Sequence, residues 1–302
     1  MTQTDFTAGV FGLGAMGYGI AASLARGGLK THGFDIRPEQ EARFQAEGGQ
    51  LGTRAEAAPR LDAAVLVVLN AAQTEAVLFG EDGIAAQMKP GAIVLSCATV
   101  APDFAIRMSA ACAERGLLYL DAPISGGAGK AAQGKLSVMA SGTAEAFAAA
   151  KPVLDACAET VFRLGDTAGP GSAMKAANQL LAGVHIAAMA EAMTFAMTQG
   201  ITPEAFLETI SKCAGTSWML ENRAPHIVSG DYTPLSQVNI WPKDLGIVLD
   251  IAKGAGFSAP ITATALQQYM VAVGMGLGGE DDAAIAKVYA RNAGLTLPEG
   301  EA

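Results

Sequence analysis

The residues best suited to chemistry begin near the N-terminus, with Gly12-Leu13-Gly14-Ala15-Met16-Gly17 between a short apolar run and a helix-like segment. Glycines at this spacing let the chain turn tightly, let a pyrophosphate approach the backbone and let strand and helix pack closely, with the helix N-terminus facing the phosphates. Taken alone, the pattern fits an ordinary glycine-rich turn as well as a nucleotide site. Asp35 shifts the balance. It lies about 20 residues further on, at the end of the next apolar run, where a carboxylate accepts the ribose 2′-hydroxyl and repels a 2′-phosphate, favouring NAD over NADP. Two alternatives stay open here: Asp35 as a turn residue ahead of Pro38, and Arg37 as a receiver of a 2′-phosphate.

Further along, Asp121-Ala-Pro-Ile-Ser125-Gly126-Gly127 combines paired glycines, whose backbone N–H groups are accessible, with a hydroxyl, and such a loop can hold a carboxylate. A tight surface turn would have the same composition. In Gly171-Ser-Ala-Met-Lys175-Ala-Ala-Asn178-Gln179, a lysine, an asparagine and a glutamine at i, i+3 and i+4 share one face of an otherwise apolar helix. They could form a hydrogen-bond cluster between domains. Alternatively, desolvation lowers the lysine pKa from about 10.4 toward neutrality and fits it to exchange a proton. In a chain with net charge -9, an anionic substrate needs locally placed cations, and Lys175 and Lys243 stand out.

These groups need a scaffold. Apolar runs at 8–12, 30–34, 63–69, 92–96 and 117–121, with a helical period over 15–28, predict a mostly parallel, doubly wound sheet of the Rossmann type. Ligands of open α/β sheets bind beyond the carboxyl ends of the strands, so Leu69, Asn70 and Thr99 are expected to line the cofactor. The breaker-rich stretch 165–171 marks a boundary, giving a nucleotide-binding domain over 1–168 and an all-helical substrate and dimerisation domain over 169–302. A helix over 172–199, apolar nearly all round, must be covered on several sides, which predicts an interdomain helix that also joins a homodimer or homotetramer.

The acidic balance argues against nucleic acid or an anionic membrane as partner. Cys97, Cys112, Cys157 and Cys213 show no paired spacing, and His32 and His226 stand apart from any ligand set, so neither a disulfide framework nor a metal site is expected. The polar start, Met1 to Ala8, lacks the layout of a signal peptide, and His185 and Glu191 argue against 180–199 as a membrane span; a cytoplasmic protein is expected.

Together, Gly12 to Gly17, Asp121 to Gly127, Gly171 to Gln179 and Lys243-Asp244-Leu245 occur in the order and spacing of the β-hydroxyacid dehydrogenase family, the 3-hydroxyisobutyrate dehydrogenase-like group, which the chain resembles over nearly its whole length. The resemblance implies that Ser125, Gly126 and Gly127 bind the substrate carboxylate, that Lys175 is the catalytic acid/base, and that Lys243 reaches the cofactor and active site from the second domain. Asn178 and Gln179 would orient substrate hydroxyls. Gln179 departs from the asparagine usual in the family. With the stretches 70–73, 179–186, 217–223 and 230–234, it resembles the branch acting on L-threonate, which implies NAD-dependent oxidation of the C2 hydroxyl to a 2-oxo acid. Within the same machinery, 3-hydroxyisobutyrate, D-glycerate and tartronate semialdehyde are rival substrates. An imine reductase and a non-catalytic nucleotide-binding protein are further alternatives, both disfavoured by the intact Lys175 motif. Trp218 and Asn222 to Arg223 either close over the substrate or pack a helix.

Overall fold

A computed structural model describes residues 5–300; the polar start, Met1 to Thr4, lies outside them. The five expected strands are present as β1 (Thr7–Phe11), β2 (Lys30–Phe34), β3 (Ala63–Leu66), β4 (Ile93–Ser96) and β5 (Leu118–Asp121). They form one all-parallel sheet in the order β2-β1-β3-β4-β5. Burial on both faces explains their continuous apolar runs: every residue of β3 and of β4 is buried. The order reverses at β1, so the turn leaving β1 sits at the topological switch point, where α/β sheets bind ligands.

Helices α1 (Ala15–Arg26), α2 (Pro38–Ala46), α3 (Arg54–Ala57), α4 (Ala71–Phe79), α5 (Pro102–Ala113), α6 (Gly127–Gln133) and α7 (Ala144–Cys157) connect and flank the strands, followed by α8 (Pro170–Thr198). One face of the sheet packs a core that includes Ile20, Leu24 and Val153, and the other a core that includes Leu78, Phe104 and Met108. A second sheet was not foreseen: β6 (Ile124–Ser125), β7 (Leu136–Ala140) and β8 (Ala158–Arg163), with β6 antiparallel and β8 parallel to β7. β6 has only two residues, and Glu159, Val161, Phe162 and Arg163 of β8 are exposed, so no clean alternation announces it.

The chain divides into two compact units, 1–175 and 176–302, with the division inside α8. Among the described residues the second unit is helical, with α9 (Pro203–Ile210), α10 (Trp218–Ser229), α11 (Ile240–Gly254), α12 (Pro260–Gly274) and α13 (Ala286–Ala293). Ile186, Met193, Trp241, Leu245 and Tyr269 belong to its core. Gly183, inside α8, is a site of close approach: a Cβ there would meet Trp241 Cε3 at 2.8 Å and Leu245 Cδ2 at 2.9 Å. By length and composition α8 could cross a bilayer, and only 39% of its apolar window is buried within the described structure. The expected cover is one-sided. Ile186 and Met193 are fully buried, whereas Leu181 and Phe195 are 54% and 66% exposed.

Candidate active site

At the switch point Gly12 has φ +97°, and a Cβ would meet Val67 O at 2.5 Å. A Cβ on Gly17 would meet Gly12 O at 1.8 Å, so α1 packs on the turn through bare backbone. At Gly14 a Cβ would find no atom within 4 Å. The second glycine therefore faces open space, as a pyrophosphate approach requires. The N-terminus of α1 has no side-chain cap and no acidic residue in its first turn. Those N–H groups and the positive end of the helix dipole suit an anion, so the loop fits a dinucleotide.

Asp35 follows β2 and faces this loop: Leu13 N donates to Oδ2 at 2.6 Å, and Arg37 donates to Oδ1 through N at 3.0 Å and Nε at 3.2 Å. Burial pushes its carboxyl up, and the N–H groups of Arg37 and Leu13 with the Arg37 guanidinium outweigh that, holding it below the usual carboxylate range. Arg37 is thus drawn onto Asp35, and a fixed carboxylate stands where a ribose hydroxyl would donate. Asn70 is occupied as the cap of α4, accepting Gln73 N at 2.9 Å through Oδ1, and Leu69 is exposed. Thr99 follows β4 in an irregular segment.

The loop after β5 leads through β6 into the turn Gly126–Gly127, with φ +131° and +76°, a region in which glycine has no Cβ penalty. Ser125 pairs with Ser137 of β7. Lys175, 8% exposed, donates from Nζ to Ile124 O at 3.0 Å, so the nitrogen end of its side chain reaches the residue preceding Ser125. The first unit thus brings Lys175 to the expected carboxylate-binding loop. Asp121, to which no role was assigned from sequence, is 1% exposed and accepts Gly169 N at 3.0 Å, Ser172 N at 2.8 Å, Ser172 Oγ at 2.7 Å and Ser141 Oγ at 3.3 Å. Burial pushes its carboxyl up, and the hydrogen bonds from Ser172, Gly169 and Ser141 offset only part of that.

In the second unit Asn178 Nδ2 donates to Gln179 Oε1 at 2.9 Å, and Gln179 Nε2 donates to Asp244 Oδ2 at 2.5 Å. Lys243 Nζ donates to the other oxygen of Asp244. Asp244, 2% exposed, therefore organises three of the expected site residues, and nothing in the sequence beyond its place beside Lys243 pointed to it. Arg223 is buried, with Nε donating to Asp282 Oδ1 at 2.6 Å, while Trp218 is 55% exposed. No group of three or more metal-ligating side chains occurs among the described residues.

Residues 7–165 match the family model described as the NAD-binding domain of 6-phosphogluconate dehydrogenase. Residues 169–289 match the one described as the NAD-binding domain of NADP-dependent 3-hydroxyisobutyrate dehydrogenase. The chain is 52% identical to L-threonate dehydrogenase of Cupriavidus necator, over 96% of this chain and 97% of that one. It is 47% identical to L-threonate dehydrogenase of Pectobacterium atrosepticum, over 98% and 97%. A crystal structure titled 3-hydroxyisobutyrate dehydrogenase from Salmonella typhimurium superposes with TM-score 0.89 at 48% identity, covering 94% of this chain and 99% of that one. The open face at Gly14, the carboxylate at Asp35 and the lysine of α8 accord with these matches: the chain belongs to the 3-hydroxyisobutyrate dehydrogenase-like family of nicotinamide-dependent hydroxyacid dehydrogenases.

Proposed function

We propose that this enzyme oxidises the C2 hydroxyl of L-threonate to the 2-oxo acid, with Lys175 moving the proton. The observation that carries the assignment of Lys175 is its Nζ, held 3.0 Å from Ile124 O at the entrance to Ser125-Gly126-Gly127. The substrate rests on the relatives, which are named for L-threonate over nearly their full length. Bound NAD would supply the acceptor for the hydride leaving C2. Gly12, Leu13, Gly14, Ala15, Met16 and Gly17 would cradle its pyrophosphate and Asp35 would accept from its ribose. Leu69, Asn70, Thr99 and Lys243 complete its surroundings. Ser125, Gly126 and Gly127 hold the substrate carboxylate, and Asn178 and Gln179 orient its hydroxyls. Lys175 Nζ accepts the C2 hydroxyl proton in oxidation and returns it in reduction.

The nucleotide-binding domain spans 1–168 and the substrate domain 169–302. The uncovered residues Leu181 and Phe195 of α8 support self-association as a homodimer or homotetramer, in the cytoplasm. A second substrate, 3-hydroxyisobutyrate, is favoured by the name of the superposing crystal structure.

NADH formation with L-threonate, D-erythronate, 3-hydroxyisobutyrate and glycerate, each with NAD and with NADP, separates these substrates. L-Threonate with NAD is expected to give the highest kcat/KM, and a preference for another acid overturns the substrate. Lys175→Met is expected to lower kcat by about 10²–10⁴-fold with the melting temperature preserved. Near-parent turnover of that variant would remove Lys175 from the chemistry.

A further inference from the structure

Most helices of this protein are held at their starts by a residue immediately before them or by none. Thr143, Thr202 and Ser217 cap α7, α9 and α10 through their own hydroxyls. Helix α8 is different. The side chain accepting from its first turn is Asp121, 51 residues before Ser172 and at the end of β5. Oδ2 accepts Gly169 N and Ser172 N, Oδ1 accepts Ser172 Oγ, and Gly171 N donates to Ser141 Oγ at 2.9 Å, itself bonded to Oδ2 at 3.3 Å. The backbone of Asp121 is also fastened, with reciprocal N–H···O bonds to Ser141 of 3.0 and 2.8 Å.

A buried carboxylate with only neutral donors is costly to desolvate, and a local serine or threonine would satisfy a helix start without that cost. The helix dipole and the converging donors offset it. What a local cap cannot do is fix where the helix starts relative to the sheet. Gly171 shows how tightly that place is defined: a Cβ would meet Met139 O at 2.5 Å and Asp121 O at 2.8 Å.

Lys175 stands at i+3 from Ser172 and i+4 from Gly171, directly above the fastened turn. Its Nζ binds Ile124 O, three residues beyond Asp121 on the same strand-end segment. The backbone end and the nitrogen end of Lys175 are thus referred to one short piece of chain, 121–124. We infer that Asp121 is a positioning residue for Lys175: its carboxylate locks the first turn of α8 to the end of β5, and the proton-transfer step depends on that lock. The inference rests on Lys175 being the proton-transfer group.

The test compares the parent holoenzyme with Asp121→Asn, Ser172→Ala and Lys175→Met, using L-threonate carrying hydrogen or deuterium at C2. Asn is isosteric, but its amide NH2 faces donors in place of one oxygen. In Asp121→Asn, kcat is expected to fall at least about tenfold, because a displacement well under 1 Å of a reacting group costs that much. The KM for NAD is expected to stay within about twofold and the isotope effect on kcat to rise, since the chemical step becomes slower than product release. Ser172→Ala keeps the carboxylate and is expected to lose about threefold in kcat. A purely structural role would lower the folded fraction and leave kcat per NAD-binding site and the isotope effect unchanged, and that result overturns the inference. Should Asp121→Asn fail to fold, Ser172→Ala decides in the same way, parent-like kcat and isotope effect counting against. Lys175→Met separates the two levels: if it is inactive while Asp121→Asn matches the parent, only the positioning role falls. If it is active, the assignment of Lys175 falls first.

Discussion

Two buried carboxylates hold this protein together by opposite means. In the first unit Asp121 is surrounded by neutral donors from Gly169, Ser172 and Ser141, most of them at the start of one helix. In the second, fully buried Asp282 meets a cation: Arg223 Nε at 2.6 Å, with Trp241 Nε1 at 3.0 Å on its other oxygen and Asp281 Oδ1 3.9 Å from the same guanidinium nitrogen. A carboxylate bonded to backbone N–H groups defines the path of the chain. One bonded to side chains at long range ties packed helices together but is indifferent to which residue of a helix does chemistry. Damage to the first is therefore expected to appear in turnover, and damage to the second in stability.

The largest contrast comes from Arg223→Met. Removing the cation leaves Asp281 and Asp282 buried without it, and breaking such a pair costs about 3–5 kcal/mol. The expected result is that loss in denaturant unfolding, carried by the second unit, with kcat of the folded protein within about twofold of the parent. A loss below about 1 kcal/mol would show that the pair barely exceeds its desolvation cost.

The difference between the clusters also explains what was legible in the sequence. The glycine loop and Asp35 are local, with Leu13 bonding Asp35 across one βαβ unit, and β2 spans Lys30–Phe34 as its apolar run predicts. The helix carrying Lys175, Asn178 and Gln179 starts within two residues of its expected place, because breakers precede it and apolar periodicity follows. Asp121 and Asp244 escaped because, Lys243 aside, their partners lie 20 to 65 residues away and no spacing rule links a single acid to a distant serine or amide. The sheet of β6, β7 and β8 escaped because β6 is two residues long and Ala158–Arg163 leaves four of its six residues exposed. Only tertiary context makes them strands.

A smaller effect tests the electrostatics of the second cluster. Burial pushes the Asp282 carboxyl up from 3.8 to about 6, with Asp281 acting in the same direction and Arg223 and Trp241 opposing. With the folded value above the ordinary one, the stabilising contribution is whole below about 3.8 and is lost as pH rises through about 6. A gap of that size corresponds to about 3 kcal/mol at most. The stability of the parent relative to Asp282→Asn is therefore expected to fall between pH 4 and pH 6 and to be flat above. A pH-independent difference would mean that the Asp282 carboxyl titrates alike in the folded and unfolded chains.

The smallest and sharpest test sets two buried hydroxyl deletions against each other. Ser141→Ala removes the acceptor of Gly171 N and one donor to Asp121, and Tyr269→Phe removes the bond from the buried Tyr269 hydroxyl to Gly183 O, 2.9 Å long and further along the same helix α8. Each deletes hydroxyl bonding in a fully buried place, so each is expected to cost about 1 kcal/mol of stability. If location within the scaffold governs turnover, only Ser141→Ala lowers kcat, by about threefold, because only it loosens the turn beneath Lys175. Tyr269→Phe is expected to keep parent kcat, since the core of Trp241, Leu245 and Met193 holds that part of α8 without it. Equal losses of kcat in both variants would mean that the rigidity of α8 as a whole sets the rate, and the distinction between a carboxylate that places a helix and one that merely stabilises a unit would collapse.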